Sequence, residues 1–482
     1  MSWQASIEIS RDSGESLTAQ VQRTIKREIS DGVLHPGTRL PSTRRLADDL
    51  DVSRSVVVEA YGQLVAEGYL EAVQGSGTRV VRHLSAAPAP VVPTLLDEGQ
   101  VPSVRWDLRS GTVNVAHFPY REWLGCGQRV LRTVRQGDLG YPPPSGVPAM
   151  REEVARYLGR VRGVRAAPGQ VMVVSGFAHG LGLLCAALPS LGMTTLAMED
   201  PGLPRQRAFV REAGMRTVPV PVDEDGIDVQ ALARTGARAV FVTPFHQFPT
   251  GVTLSPERRE ALVRWARDVD GYVIEDDYDG DFWFDRRARP LALQRLAPER
   301  VVYAGTSSKS LVPALRLGWL VVPRDLQPVL ERLRSQRDLG SDCLTQLTFA
   351  ELLRSGSFDR HLRRLRARYA TRRKTLADAV RQFLPEARLD GPAAGLHAYV
   401  RLPRHTDEAA LVAGALRRSV LVRGGREFCA RPDGARPALV VGYTALHRSG
   451  LAEALRAVGA AHAELPGARR YPGPVRAAAR SA

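Results

Sequence analysis

Leu17, Val21, Ile25 and Ile29 recur every four residues and predict a helix with one apolar stripe, ending near Asp31-Gly32. Pro36-Gly37 turns the chain, Pro41-Ser42-Thr43 opens a short helix to Leu50, and Asp51-Val52-Ser53 turns it again. A third helix, Arg54 to Glu67, would bury Val57, Ala60, Tyr61, Leu64 and Val65. Two alternating runs, 68–73 and 78–81, flank Gln74-Gly75-Ser76-Gly77 and read as a hairpin. A Pro/Ala-rich stretch near 83–93 has no helical period. Beyond it, Val- and Ile-rich strands alternate with helices, which predicts an α/β unit with a mainly parallel sheet. Phe358, Leu362, Leu365, Tyr369, Leu376, Val380 and Phe383 then form one long helical stripe.

The 482-residue chain is long enough for two or three domains, and its formal net charge of +16 favours an anionic partner such as nucleic acid. The first 82 residues do not supply that charge, with 10 Lys and Arg against 11 Asp and Glu. From 354 to 382 the count is 10 against 2, so Arg363, Arg364, Arg372 and Arg373 are candidates for a DNA-facing strip. Cys126, Cys185, Cys343 and Cys429 are far apart, which supports neither a disulfide framework nor a zinc site; no metal is expected. No signal peptide or membrane span is predicted, and a cytoplasmic location is expected.

Chemistry concentrates around Lys309. A strand, Val301-Val302-Tyr303, runs into Gly305-Thr306-Ser307-Ser308, and Arg316 follows seven residues after the lysine. A desolvated lysine beside a cation is held neutral and attacks an aldehyde. Arg316 with the Ser307 and Ser308 hydroxyls makes a phosphate fork. An aldehyde and a phosphate together describe pyridoxal 5'-phosphate. The strand Val171–Val174 leads into Gly176, Phe177, Ala178 and His179 at a helix start, whose N–H groups suit the same phosphate. His179 either donates there or is a satisfied core residue. His246 and Gln247, at the end of the strand Val240-Phe241-Val242, are placed to line the pocket. In Glu275-Asp276-Asp277-Tyr278-Asp279-Gly280-Asp281 a calcium loop is excluded, because its glycine position is Phe282 and its bidentate acid position is Ala288. No G-x-G-x-x-G is present, which disfavours a dinucleotide fold.

These segments resemble one family along nearly the whole chain. Ser307-Ser308-Lys309 with Pro313-Ala314-Leu315-Arg316-Leu317-Gly318-Trp319 is similar to the Schiff-base segment of fold-type-I aminotransferases. Thr243-Pro244-Phe245-His246-Gln247-Phe248-Pro249-Thr250-Gly251 resembles the MocR subgroup of the GntR regulators, and residues 1–82 resemble a GntR winged helix. The resemblance implies DNA contacts from Ser42, Arg44, Arg54 and Ser55, with the wing tip Gly75, Ser76 and Gly77 near the minor groove of a double-stranded operator. It implies Asp276 at the pyridine nitrogen, Tyr278 at the phenolate oxygen, and a head-to-tail homodimer. Aminotransferases carry a carboxylate-binding arginine where Val440 stands; Arg205, Arg423 and Arg426 are the substitutes, Arg205 equally fitting a solvated loop.

The expected organisation is a winged helix-turn-helix at 1–82, a linker at 83–104, and a PLP-binding aminotransferase-like domain with a smaller α+β subdomain at 105–465. A basic tail occupies 466–482. The expected function is a regulator sensing PLP or a PLP adduct with an amino compound through Lys309; the alternative is a working aminotransferase with a DNA-binding appendage.

Overall fold

The computed structural model describes residues 9–10, 14–73, 77–81, 103–285 and 289–466, and the chain divides into two compact units, 1–101 and 102–482. In the first unit, α1 (Leu17–Ser30), α2 (Thr43–Asp49) and α3 (Arg54–Ala66) precede a hairpin of β1 (Leu70–Val73) and β2 (Gly77–Val80), paired with Val73 opposite Gly77. Ser16 and Ser42 start α1 and α2 by accepting the N–H groups of Ala19 and Arg45, satisfying donors a helix start leaves open. Val21, Ile25, Leu46, Val57, Ala60 and Leu64 are fully buried and lock the helices together. Val65, expected inside, is 37% exposed. It lies in the last turn of α3, rotated away from Leu64, which is the fully buried residue of that turn.

In the second unit, β3 (Trp106–Asp107) precedes β4 (Val171–Val174), β5 (Thr195–Asp200), β6 (Arg216–Asp223), β7 (Gly226–Ile227), β8 (Ala239–Val242), β9 (Tyr272–Asp276), β10 (Val301–Thr306) and β11 (Gly318–Val321). The eight strands from β4 onward form one sheet in the order β4-β11-β10-β9-β8-β5-β6-β7. Its centre, from β10 through β9, β8 and β5 to β6, is parallel; β11, β4 and β7 join antiparallel. β4, β8, β9 and β11 are buried along their whole length, the pattern of strands covered on both faces. Met172, Met198, Ile274 and Leu320 pack one face with Leu181 and Leu184. On the other face Val240, Val242 and Val273 pack with Leu262 and Trp265.

A smaller antiparallel sheet follows: β12 (Arg388–Leu389), β13 (His397–Arg401), β15 (Arg423–Gly424) and β16 (Ala438–Gly442), while β14 (Val420–Leu421) pairs with β3. The helix Ser357–Phe383 buries Phe358, Leu362, Leu365, Tyr369, Leu376 and Val380 as the stripe requires. Two arginines expected to face DNA do not. Arg372 and Arg373 are only 6% and 8% exposed, and Arg372 donates to the Thr444 carbonyl. Arg364 is held by Glu122 at 2.8 Å. Arg363 and Arg364 are exposed while Arg372 and Arg373 are buried, so the four arginines do not form one exposed strip. No helix among the described residues is long and apolar enough to cross a membrane.

Candidate functional site

The parallel strands end together, and their last residues and following loops build a cavity of about 350 Å³. This is where open α/β sheets bind ligands. β9 contributes Asp276, β10 contributes Thr306, the loops after β8 and β10 add Thr243, Ser308 and Lys309, and the 3-10 turn Pro313–Leu315 ends at Arg316. Phe177 and Ala178 come from a helix start, and Leu396, His397 and Arg423 from the smaller sheet.

Lys309 Nζ donates to the Gly111 carbonyl at 2.7 Å. Gly111 has φ +87, which lets its backbone approach the amine. Burial lowers the lysine pKa, against the pull of Asp279 and Asp276, which favours the neutral, nucleophilic amine. Arg316 adopts the left-handed conformation at φ 47, strained for a residue with a side chain, and donates to Ser175 O at 2.6 Å. A Cβ at Gly176 would stand 3.0 Å from that guanidinium, so glycine there leaves room for the arginine. Gly176 is also the N-cap of the helix Phe177–Ala187, whose open N–H groups adjoin Arg316 and the Ser308 and Thr306 hydroxyls. Together they suit a phosphate monoester.

Asp276 is buried, and its Oδ1 has no hydrogen-bond partner among the described residues. Burial and then Asp277 and Asp279 hold its carboxyl well above the usual range. A buried carboxyl oxygen left open on the cavity wall fits a ligand that brings an N–H, as a protonated pyridine does. Asp277, the next residue, accepts from buried Arg162 at 2.5 Å and from Tyr303, which fixes the end of β9.

Other expected site residues lie elsewhere. His246 and Gln247 are buried and absent from the cavity wall; they brace it from behind. His246 Nδ1 donates to Asp279 at 2.9 Å, and Gln247 Nε2 donates to Pro201 O at 2.8 Å. Ser307 is fully buried and donates to Leu317 O, leaving the hydroxyl work to Ser308 and Thr306. His179 accepts from Ser175 N at 3.0 Å and pairs with Asp338 at 2.9 Å, off the cavity wall. Tyr278 does line the cavity, but its hydroxyl donates to His246 O at 2.9 Å, so toward a ligand it offers its oxygen. Of the three candidate arginines, Arg423 alone lines the cavity. It stands directly opposite Val440 in the β15–β16 pair, one strand from the expected place. Arg205 and Arg426 are exposed and off the wall. His246, Asp279 and His397 bring three potential metal-ligand atoms within 4.8 Å, a grouping the sequence did not suggest; His246 hydrogen-bonds to Asp279, and His397 Nε2 donates to Pro249 O.

Sequence reasoning gave Glu199 no role. It is buried behind Thr243, whose N–H and hydroxyl donate to it at 3.1 and 2.6 Å, and burial pushes its pKa up to about 7. Folding therefore takes up a proton between 4.5 and about 7, and that stabilisation is lost as pH rises through this window. Glu199→Gln is expected to flatten the fall of the urea midpoint from pH 4.5 to 7. Glu275, also raised to about 7, keeps part of the slope. Identical slopes in variant and parent would refute the assignment.

In the first unit Ser42, Arg44, Arg54 and Ser55 are exposed at the starts of α2 and α3. Ser42 spends its hydroxyl as a helix cap, and Ser55 shares a 2.8 Å hydrogen bond with Ser53. Gly77 is described; Gly75 and Ser76 lie outside the described residues.

The aminotransferase class I and II family profile matches residues 108–457, and that of the bacterial regulatory proteins of the gntR family matches residues 17–80. A probable rhizopine catabolism regulatory protein, MocR of Rhizobium meliloti, is 34% identical over 84% of this chain and 85% of its own length. The pyridoxine biosynthesis transcriptional regulator PdxR of Corynebacterium glutamicum is 33% identical over 81% and 84%. Among solved structures, Pyrococcus horikoshii kynurenine aminotransferase matches with TM-score 0.69 at 22% identity, over 78% of this chain and 95% of that one, a likeness of fold. The α-aminoadipate aminotransferase LysN of Thermus thermophilus, solved with N-(5'-phosphopyridoxyl)-L-leucine, matches with TM-score 0.65 at 27% identity, over 75% and 92%.

Proposed function

The chain belongs to the GntR family of bacterial regulators in its MocR form, a gntR-type reader joined to a class I and II aminotransferase fold, and on that premise we propose that it regulates transcription in response to pyridoxal phosphate. Residues 1–82 are the DNA reader, 83–104 the linker, 105–465 the sensor and 466–482 a basic tail. The observation that carries the reading is one cavity holding a lysine with a depressed pKa, an arginine with hydroxyls, and a buried carboxyl oxygen without a partner.

The cofactor, when bound, supplies an aldehyde for Nζ and an electron-withdrawing ring. Arg316, Ser308, Thr306 and the N–H groups of Phe177 and Ala178 would hold its phosphate. Asp276 would accept the ring N–H. Lys309 would exchange its hydrogen bond to Gly111 O for a covalent link. Arg423 would take the carboxylate of an amino compound, the adduct being the second form of the effector. The likeness to regulators along most of the chain favours regulation over steady transamination, since the kynurenine aminotransferase, at 22% identity, shares fold alone.

A stripe of exposed apolar side chains supports a second copy. Tyr120, Leu124 and Leu131 lie on one side of the helix Tyr120–Thr133 and are each more than 60% exposed, and Tyr141 is 87% exposed. A head-to-tail homodimer in the cytoplasm is the assembly we propose.

Binding of the purified protein to DNA upstream of its own gene, at fixed salt, with and without pyridoxal phosphate, tests the function. A cofactor-dependent change in affinity is expected, and indifference would overturn it. In the same assay Arg44→Ala with Arg54→Ala is expected to weaken binding at least tenfold and to lower the salt slope by about 1 for each phosphate no longer neutralised. An unchanged slope would remove these residues from the interface.

A further inference from the structure

A second cavity of about 390 Å³ lies between the segment Ala116–Glu122 and the helix Ser357–Phe383. That volume is in the range of small-molecule sites. Its charged lining is Arg121, Arg364 and Arg368 against a single acid, Glu122. Glu122 is spent on Arg364 at 2.8 Å, which fixes that guanidinium in the wall. Arg121 and Arg368 make no hydrogen bond or ion pair among the described residues. Arg364 and Arg368 are four residues apart on one helix, where like charges repel. Phe118 and Leu365 add an apolar surface.

One wall is tied to the loop that carries Lys309, and the segment leading into the other touches it too. From the helix, buried His361 Nε2 donates to Ser310 O at 2.8 Å. From the segment preceding the other wall, Gly111 O accepts from Lys309 Nζ at 2.7 Å. Ser310, next to Lys309, is thus hydrogen-bonded to one wall of this cavity, and Gly111 lies five residues before the other.

We propose that this cavity is a second, regulatory site for a small oxyanion of high charge, a phosphate or polyphosphate group, read by Arg121, Arg364 and Arg368. An anion there neutralises the repulsion between the guanidiniums and draws the two walls together. Through His361 that movement reaches Ser310, the neighbour of Lys309. Binding itself stands on the arginines alone; the coupling rests on the reading of Lys309 as the cofactor anchor.

Calorimetric titration of the cofactor-loaded protein with pyrophosphate tests it, because the phosphate cup at Arg316 is then already filled. One further binding event is expected, at least tenfold weaker in Arg121→Gln with Arg368→Gln, while covalent retention of the cofactor at Lys309 is unchanged. Equal binding by the double variant means an adventitious ion only and overturns the site, as does the absence of heat. His361→Gln is expected to keep the binding and to lose the accompanying shift in the visible absorbance of the bound cofactor; a shift that persists would overturn the coupling. Should the protein take up no cofactor, the titration is made on Arg316→Gln. Binding there that still depends on Arg121 and Arg368 keeps the site while the cofactor reading falls, and binding independent of them ends both.

Discussion

Lys309→Ala is expected to abolish covalent retention of pyridoxal phosphate and to weaken its binding at least 100-fold, about 3 kcal/mol. The parent, treated with the cofactor and borohydride, should gain the mass of one reduced adduct at Lys309; the variant should gain none. Among the described residues of the cavity wall there is no second lysine to replace the amine. The phosphate cup remains, so residual binding should compete with inorganic phosphate. Lys309→Arg is the control that restores charge without a nucleophile, and it should fail equally. If DNA binding by the parent shifts with cofactor, the shift should vanish in both variants while affinity without cofactor stays. Labelling that persists in Lys309→Ala would end the assignment.

Asp276→Asn is expected to act with opposite signs on stability and on binding. In the free protein Asp276 is buried among acids with an open Oδ1, and its folded pKa lies well above the unfolded one. A group with a raised folded pKa stabilises when protonated, and that contribution is lost as pH rises above the ordinary carboxyl range. At neutral pH the asparagine variant without cofactor should be the more stable, because it has no proton to take up on folding. With cofactor the order reverses, since asparagine cannot hold a proton on the ring nitrogen as a carboxylate does, and affinity should fall at least tenfold. Thermal melts of both proteins, with and without cofactor, measure both signs. A variant less stable in both states would mean that Asp276 is structural.

Residue types at element ends were legible in the sequence. A carboxyl directly after an apolar strand, as at Asp276, and a lysine in a Gly-Thr-Ser-Ser turn can be read without coordinates, because strand ends in such sheets face the ligand. The direction of each side chain was not legible. His246 and Gln247 also follow a strand, yet they turn behind the wall, since long-range partners at Asp279 and Pro201 decide their orientation. Ser307 and Ser308 are neighbours in one turn, and alternation sends one inward to Leu317 O and the other to the cavity. A charge count placed Arg372 and Arg373 outside, whereas a guanidinium on a long apolar stem can be buried where a carbonyl such as Thr444 O receives it. Glu199 was given no role because its partners, Thr243 and Gln247, are more than forty residues away.

The open carboxyl of Asp276 has a consequence for the protein's life in the cell. A ligand that binds only the folded chain adds about 2.7 kcal/mol at a hundredfold excess over its Kd. Without it, the chain opens more often and is a better substrate for proteases. Scarcity of the cofactor would then lower the number of regulator molecules as well as change their occupancy, and the same buried acid would set both the response and the half-life of the responder.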